Sequence, residues 1–318
     1  MKPVSKPEVH EKYRRLIEAA VAAGPVTTAV AHPCDEVSLK GAVEAARLHL
    51  IDPVLVGPLA RIRDIATRHK IDIGGIRTID AVHSRDSAAK AVELARDGEA
   101  DALMKGSLHT DELMGAVVAR EGGIRTSRRI SHCFIMDVPG HPDPLIITDA
   151  AVNIAPTLEE KIDIVQNAID LAHALNAPQV RVAILSAMET VNPKVPSSLD
   201  AAALSKMAER GQITGAMVDG PLALDIAINE EAAATKNIES PVAGKANVLV
   251  VPNLEAGNML AKSLTFLAGA DSAGIVLGAR VPIILTSRAD SLMARLASCA
   301  VAALLAKFRR DQAVSHTA

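Results

Sequence analysis

The chain has 318 residues, 49% of them hydrophobic, and a formal net charge of -3. That length exceeds the usual size of one hydrophobic core, so two domains are expected, and the weak charge gives no electrostatic case for nucleic acid as a partner. With one Tyr, three Phe and no Trp, the core must be built from Ala, Val, Leu and Ile, which suits parallel strands buried on both faces under Ala-rich helices.

Short β-branched runs alternate with longer helical stretches along the whole chain. Strands are predicted at 26–31, 54–56, 76–80, 102–104, 131–136 and 145–148, then at 181–185, 216–219, 248–251, 275–277 and 282–285. The clearest helix covers 158–175, where Leu158, Ile162, Val165, Ile169 and Ala172 share one face and Thr157 precedes Glu159 and Glu160 as a helix start. A last helix is predicted over 291–307, with the polar tail after Lys307 expected to fray. Repeated strand–helix alternation implies an α/β fold of βαβ units. The stretch Val138-Pro139-Gly140-His141-Pro142-Asp143-Pro144 reads as a hinge between domains. The expected division is a first α/β domain over 1–142 and a second over 143–290, with the C-terminal helix, 291–318, packing back on the first.

No uncharged apolar run reaches the length of about 18 residues that suggests a membrane span. Residues 1–10 are too polar for a signal peptide, so a cytoplasmic protein with no membrane partner is expected. Cys34, Cys133 and Cys299 are widely spaced, which argues against a disulfide framework or a zinc site. Each reads as a small buried hydrophobe; Cys34, between His32-Pro33 and Asp35, is also open to a nucleophilic role.

In doubly wound sheets, ligands bind beyond the carboxyl ends of the strands. Three such ends are rich in turn-forming and polar residues: Asp219-Gly220-Pro221, the run from Pro252 to Asn258, and Thr286-Ser287-Arg288-Ala289-Asp290-Ser291. Glycine lets the backbone approach a phosphate, a helix start attracts its charge, and an Arg can fork two hydrogen bonds onto it. Ordinary turn and cap chemistry is the competing explanation, with Asp290 or Ser291 capping the last helix. No nucleotide-binding glycine fingerprint, clustered-His metal motif or serine nucleophile elbow occurs, and no metal is expected.

These stretches resemble the phosphate acetyltransferase/butyryltransferase family. The resemblance runs in order from Ala31-His32-Pro33-Cys34-Asp35-Glu36 through Leu55-Val56-Gly57-Pro58, Met104-Lys105-Gly106 and Ser131-His132-Cys133-Phe134. It continues through the stretch from Thr148 to Thr157, Ser186-Ala187-Met188-Glu189, Asp219-Gly220-Pro221 and the stretch from Ser240 to Ala246. Pro252-Asn253-Leu254, Gly257-Asn258 and Ser287-Arg288 complete it. It implies two doubly wound α/β domains facing across a cleft, an architecture like that of isocitrate and isopropylmalate dehydrogenases, in a homodimer. It also implies reversible acyl transfer between coenzyme A and inorganic phosphate, with CoA as substrate and no cofactor.

By resemblance Ser287 would stabilise the transition state or the leaving phosphate, and Arg288 would clamp the phosphoryl oxygens. The acetyl branch places a basic Asp where this chain has Ala294 followed by Arg295, so Asp290 is the nearest carboxylate for that role. Asn258 and Asp219 are candidate substrate contacts, and Arg120 and Arg125 candidates for the CoA phosphates. The expected activity is phosphate acetyltransferase, with phosphate butyryltransferase as the alternative. From other classes, a non-catalytic CoA- or phosphate-binding module and a decarboxylating hydroxyacid dehydrogenase remain as competitors.

Overall fold

The computed structural model describes residues 11–286 and 290–315. In chain order the elements are α1 (Glu11–Ala23), β1 (Val26–Ala31), α2 (Glu36–Arg47), β2 (Ile51–Gly57), α3 (Leu59–Arg68), β3 (Arg77–Asp80), α4 (Ser84–Arg96), β4 (Ala102–Lys105) and α5 (Thr110–Val117). Then come β5 (Ser131–Asp137), β6 (Leu145–Thr148), α6 (Leu158–Ala174), β7 (Arg181–Leu185), α7 (Pro196–Glu209), β8 (Met217–Leu222), α8 (Leu224–Ile228) and α9 (Glu230–Thr235). The last are β9 (Val248–Val250), α10 (Leu254–Leu267), β10 (Asp271–Leu277), β11 (Ile283–Ile284) and α11 (Leu292–Ser315). Among the described residues no helix is long and apolar enough to cross a membrane.

The chain forms two compact units. One is built around Tyr13–Arg128 and is rejoined by the chain from Ala273 onward; the other is built around Arg129–Ser272. In the first unit the strands lie in the order β3-β2-β1-β4-β11-β10, parallel except for β10, which runs antiparallel to β11. Five of the six residues of β1 are buried, so this strand is covered on both faces. Helices α4 and α11 both pack against β1 and β4, and α11 also packs on α2. The last helix runs past Lys307 to Ser315 and does not fray there. Arg309 Nη1 donates to the carbonyl of Ala279 at 3.1 Å and Arg310 pairs with Asp101 at 3.5 Å, tying down the polar turns.

The second unit orders its strands β5-β6-β9-β7-β8, with β5 antiparallel to β6 and the others parallel. Antiparallel pairing of β5 with β6 changes the meaning of the proline-rich stretch at 138–144. It is the connection of a strand pair inside one unit, not a hinge, because its prolines need no ladder hydrogen bonds where the chain reverses. The chain passes between units at Lys12 and Tyr13, at Arg128 and Arg129, and again near Ser272.

Helix α6 starts where the sequence indicates: Thr157 accepts from the backbone of Glu160, and Glu160 accepts from the backbone of Thr157. Of its expected face Val165, Ile169 and Ala172 are buried and Leu158 and Ile162 half-buried, and the buried surface also takes in Lys161, Ile164, Asn167, Ala168 and Leu171. Lys161 is admitted because its ammonium meets Asp200 of α7 at 2.7 Å, and Asn167 because it donates to Ser131 Oγ at 2.9 Å. We expect Asp200→Ala to lower stability by about 2 kcal/mol in urea unfolding, since it strands a buried ammonium, and Lys161→Met to cost much less.

Candidate active site

Strand β1 is flanked by β2, which continues to β3, and by β4 on its other side. The strand order therefore reverses between β1 and β4, the position where open parallel sheets bind ligands. A cavity of about 440 Å³ opens there, lined by His32, Cys34 and Asp35 after β1 and by Ser107, Leu108 and His109 after β4. Arg61, Ser84 and Glu112 complete its wall.

The two strand ends are locked by backbone bonds. The His32 carbonyl accepts from Cys34 N at 2.8 Å, Ser107 N at 2.9 Å and Ser107 Oγ at 2.9 Å, while Gly106 N donates to the Ala31 carbonyl at 2.9 Å. A Cβ at Gly106 would collide with the carbonyl oxygens of Ala31 and His32, so only glycine allows this approach. His32 itself has φ 57°. The other non-glycine residues with positive φ among the described residues, His49, Lys70, Asn176 and Asn237, each follow a helix C-cap, whereas His32 follows a strand. Left-handed backbone for a bulky residue away from a helix end is the kind of strain that collects at functional sites.

Three helix starts face this cavity wall. Asp35 caps α2 by accepting from Ser38 N at 2.8 Å, His83 caps α4 by accepting from Asp86 N at 3.1 Å, and the backbone of His109 at the start of α5 donates to Glu112 at 3.0 Å. Ser84 Oγ also donates to Glu112, at 2.7 Å. Helix starts carry partial positive charge, so with Arg61 they favour an anionic group such as a phosphate. Burial pushes the Cys34 thiol up to about 11, with Arg61 opposing, so it stays a protonated thiol and is no nucleophile at neutral pH. The His32 imidazole is held below its ordinary range by burial first, then by Arg61, with Glu112 and Asp35 opposing.

The residues singled out from the sequence do not gather in one unit. Ser287 and Arg288 lie outside the described residues; they follow Thr286 at the end of β11, whose Ile284 sits beside Met104 of β4. The buried Arg295 donates to Thr286 Oγ1 at 3.1 Å. Asp290 is half-buried, and Ser291 Oγ caps α11 by accepting from Ala294 N at 3.1 Å. Arg120 and Arg125 are exposed in the first unit, and neither lines the cavity.

Asn258 and Asp219 belong to the second unit. Asn258 Nδ2 donates to the Ala150 carbonyl at 3.3 Å. Asp219 lies inside β8, paired with Ala183, and not in a turn beyond the strand as its Gly-Pro sequel suggested. β8 is last in its unit's strand order, so the missing Pro221 N–H is tolerated, and a Cβ on Gly220 would come within 2.6 Å of the Ile184 carbonyl. β6 and β8 have two strands between them, about 14 Å at normal spacing. The end of β6 is instead organised by buried Asp149, whose carboxylate accepts from the backbone of His132, Ala151, Val152 and Asn153 at 2.9–3.2 Å.

Residues 81–303 match the family model described as phosphate acetyl/butaryl transferase. The chain belongs to this phosphate acyltransferase family. It is 63% identical over 309 residues to a phosphate acetyltransferase of Rhizobium meliloti, covering 97% of this chain and 98% of the relative. A phosphate butyryltransferase of Clostridium acetobutylicum is 43% identical over 278 residues, covering 87% and 92%. Among solved structures, a branched-chain phosphotransacylase from Enterococcus faecalis V583 superposes with a TM-score of 0.77 at 32% identity, covering 88% of this chain and 99% of that one. The family match includes the β4–α5 loop and Ser287-Arg288, while His32, Cys34, Asp35 and Arg61 precede it.

The wall residues His32, Ser84, Ser107, His109 and Glu112 were not picked out as site residues from the sequence. The strand-end rule applied to β1 and β4 reaches most of them; the Gly- and Pro-rich ends of the second half carry the stronger turn signal. In the second unit His132 is buried with Nδ1 unpartnered, and burial pushes its imidazole down to about 4 against the opposing charge of Asp149. Because this lies below the ordinary 6.5, stability is fully present above pH 6.5 and is lost as pH falls toward 4. Chemical denaturation across that window should show a slope of roughly 1 kcal/mol per pH unit that His132→Leu removes.

Proposed function

We propose that this protein is a phosphate acetyltransferase, interconverting acetyl-CoA and phosphate with acetyl phosphate and CoA. The observation that carries the reading is the 63% identity to the Rhizobium meliloti enzyme over nearly the full length of both chains. The first unit's cavity supports it, since three helix starts and Arg61 suit a phosphoryl group. The chemistry is direct: CoA sulfur attacks the acyl phosphate carbonyl, or phosphate oxygen attacks the thioester. CoA is a substrate in it, and no cofactor or metal is required.

In this reading Arg288 clamps the phosphoryl oxygens and Ser287 donates to the developing negative charge. Asp290 stays with the same loop as a candidate acid–base group. Arg120 and Arg125, both exposed, would meet the CoA phosphates, and Asn258 and Asp219 are assigned to substrate on the family resemblance. A homodimer working in the cytoplasm completes the proposal, on the family resemblance. Butyryl transfer is the second reading, favoured by the 43% identity to the Clostridium acetobutylicum butyryltransferase.

Phosphate-dependent CoA release should be assayed with acetyl-CoA and butyryl-CoA side by side. We expect acetyl-CoA to be preferred; one methylene is worth only about 1–3 kcal/mol in a pocket, so a preference for butyryl-CoA would select the second reading. Arg288→Ala should lower the rate by about a hundredfold or more, from a charged bond worth about 3 kcal/mol. Binding of CoA without turnover of either thioester would overturn the enzyme reading in favour of a binding module.

A further inference from the structure

We infer that His32 is the proton acceptor of the acyl transfer, taking the CoA thiol proton at Nε2 and passing it to the departing phosphate. The inference rests on the acyltransferase reading above and deepens it.

Hydrogen bonding is compatible with the tautomer a base needs. Ser87 Oγ lies 2.9 Å from the His83 carbonyl and 3.0 Å from His32 Nδ1. With its one proton on the carbonyl it accepts from Nδ1–H, the tautomer that leaves a lone pair on Nε2, an atom with no hydrogen-bond partner among the described residues. His32 is one of the residues lining the 440 Å³ cavity and is 7% exposed. Ser87 is fully buried and its backbone N–H is also bonded to the His83 carbonyl, at 2.9 Å, which makes the support rigid.

The backbone points to the same residue. Three bonds to its carbonyl and one from its N–H to the Val56 carbonyl, at 2.7 Å, hold His32 in a left-handed conformation, uncommon for any residue but glycine. The groups around the ring are Arg61 from α3, Glu112 from α5, Asp35 at the start of α2 and His83 at the start of α4. Their balance with burial keeps the imidazole neutral at neutral pH, the form a base needs.

The step balances. As Nε2 takes the thiol proton, the sulfur lone pair forms the S–C bond at the acyl phosphate carbonyl. The C–O bond to phosphate then breaks, its electron pair leaving on the phosphate oxygen, and that oxygen takes the proton from the imidazolium. Acyl-CoA and hydrogen phosphate result. In reverse, Nε2 takes the proton of hydrogen phosphate and delivers it to the departing thiolate.

The test is steady-state kinetics with CoA and acetyl phosphate, from about pH 5 to 9, on the wild type and His32→Gln, His32→Ala, Ser87→Ala and Asp290→Asn variants whose thermal melts are recorded. We expect His32→Gln to lose about a hundredfold or more in kcat, with both KM values within a few-fold, and to lose the acid limb of the wild-type profile. Added imidazole should restore part of the rate to His32→Ala. Ser87→Ala, which keeps the ring but not its support, should lose kcat without change in KM; unchanged kcat in this variant counts against the inference even if His32→Gln fails to fold. Wild-type turnover with an unaltered rate and acid limb in His32→Gln overturns the inference alone, as does an acid limb that disappears only in Asp290→Asn. Absence of wild-type turnover overturns the acyltransferase reading and the inference with it.

Discussion

The carbonyl of His32 and the bare Cα of Gly106 meet at the end of β1, and the first unit's site depends on that approach. Ser107 binds the His32 carbonyl through both its N–H and its hydroxyl, and His32 N–H in turn reaches the end of β2 at the Val56 carbonyl. The ends of β1, β2 and β4 are thus joined by bonds that leave no room for a side chain at 106. Strain in the His32 backbone is supported by this network, and its side chain is a consequence of where the backbone must go.

Charge around the cavity suits proton transfer and anion binding better than covalent catalysis. The Cys34 thiol is buried and stays protonated, so the one sulfur at the site is no nucleophile. Each of the three helix starts has its own cap in Asp35, His83 or the His109–Glu112 turn, which leaves the remaining amides and the helix dipoles available to an anion. Negative side chains present at the wall are mostly engaged: Glu112 holds Ser84 and the His109 backbone, and Asp35 holds Ser38.

The second unit treats its strand ends differently. Asp149 folds the chain after β6 around its own carboxylate, and Gly257 of α10 packs so close that a Cβ would come within 2.8 Å of Ala150. Gly220 does the same for β8 against Ile184. Turn-rich sequence here reflects backbone crowding, which explains why Asp219-Gly220-Pro221 looked like a binding turn and proved to be a strand.

Local pattern was enough for the α/β class, for most strands, for the Thr157 helix start and for family membership, because periodicity, cap chemistry and ordered motifs are written in adjacent residues. It was enough to mark Cys34 as unusual but not to decide its chemistry, since a thiol's acidity depends on burial contributed from distant segments. Tertiary structure alone decided that the buried face of α6 extends to Lys161 and Asn167, because Asp200 and Ser131 supply the partners that let them inside. Likewise it alone turned the proline-rich stretch from a hinge into a strand connection, through the pairing of β5 with β6. The orientation of His32 comes from Ser87 and His83, some fifty residues on; such a bond leaves no periodic trace in the sequence and exists only once β1 and α4 are packed together.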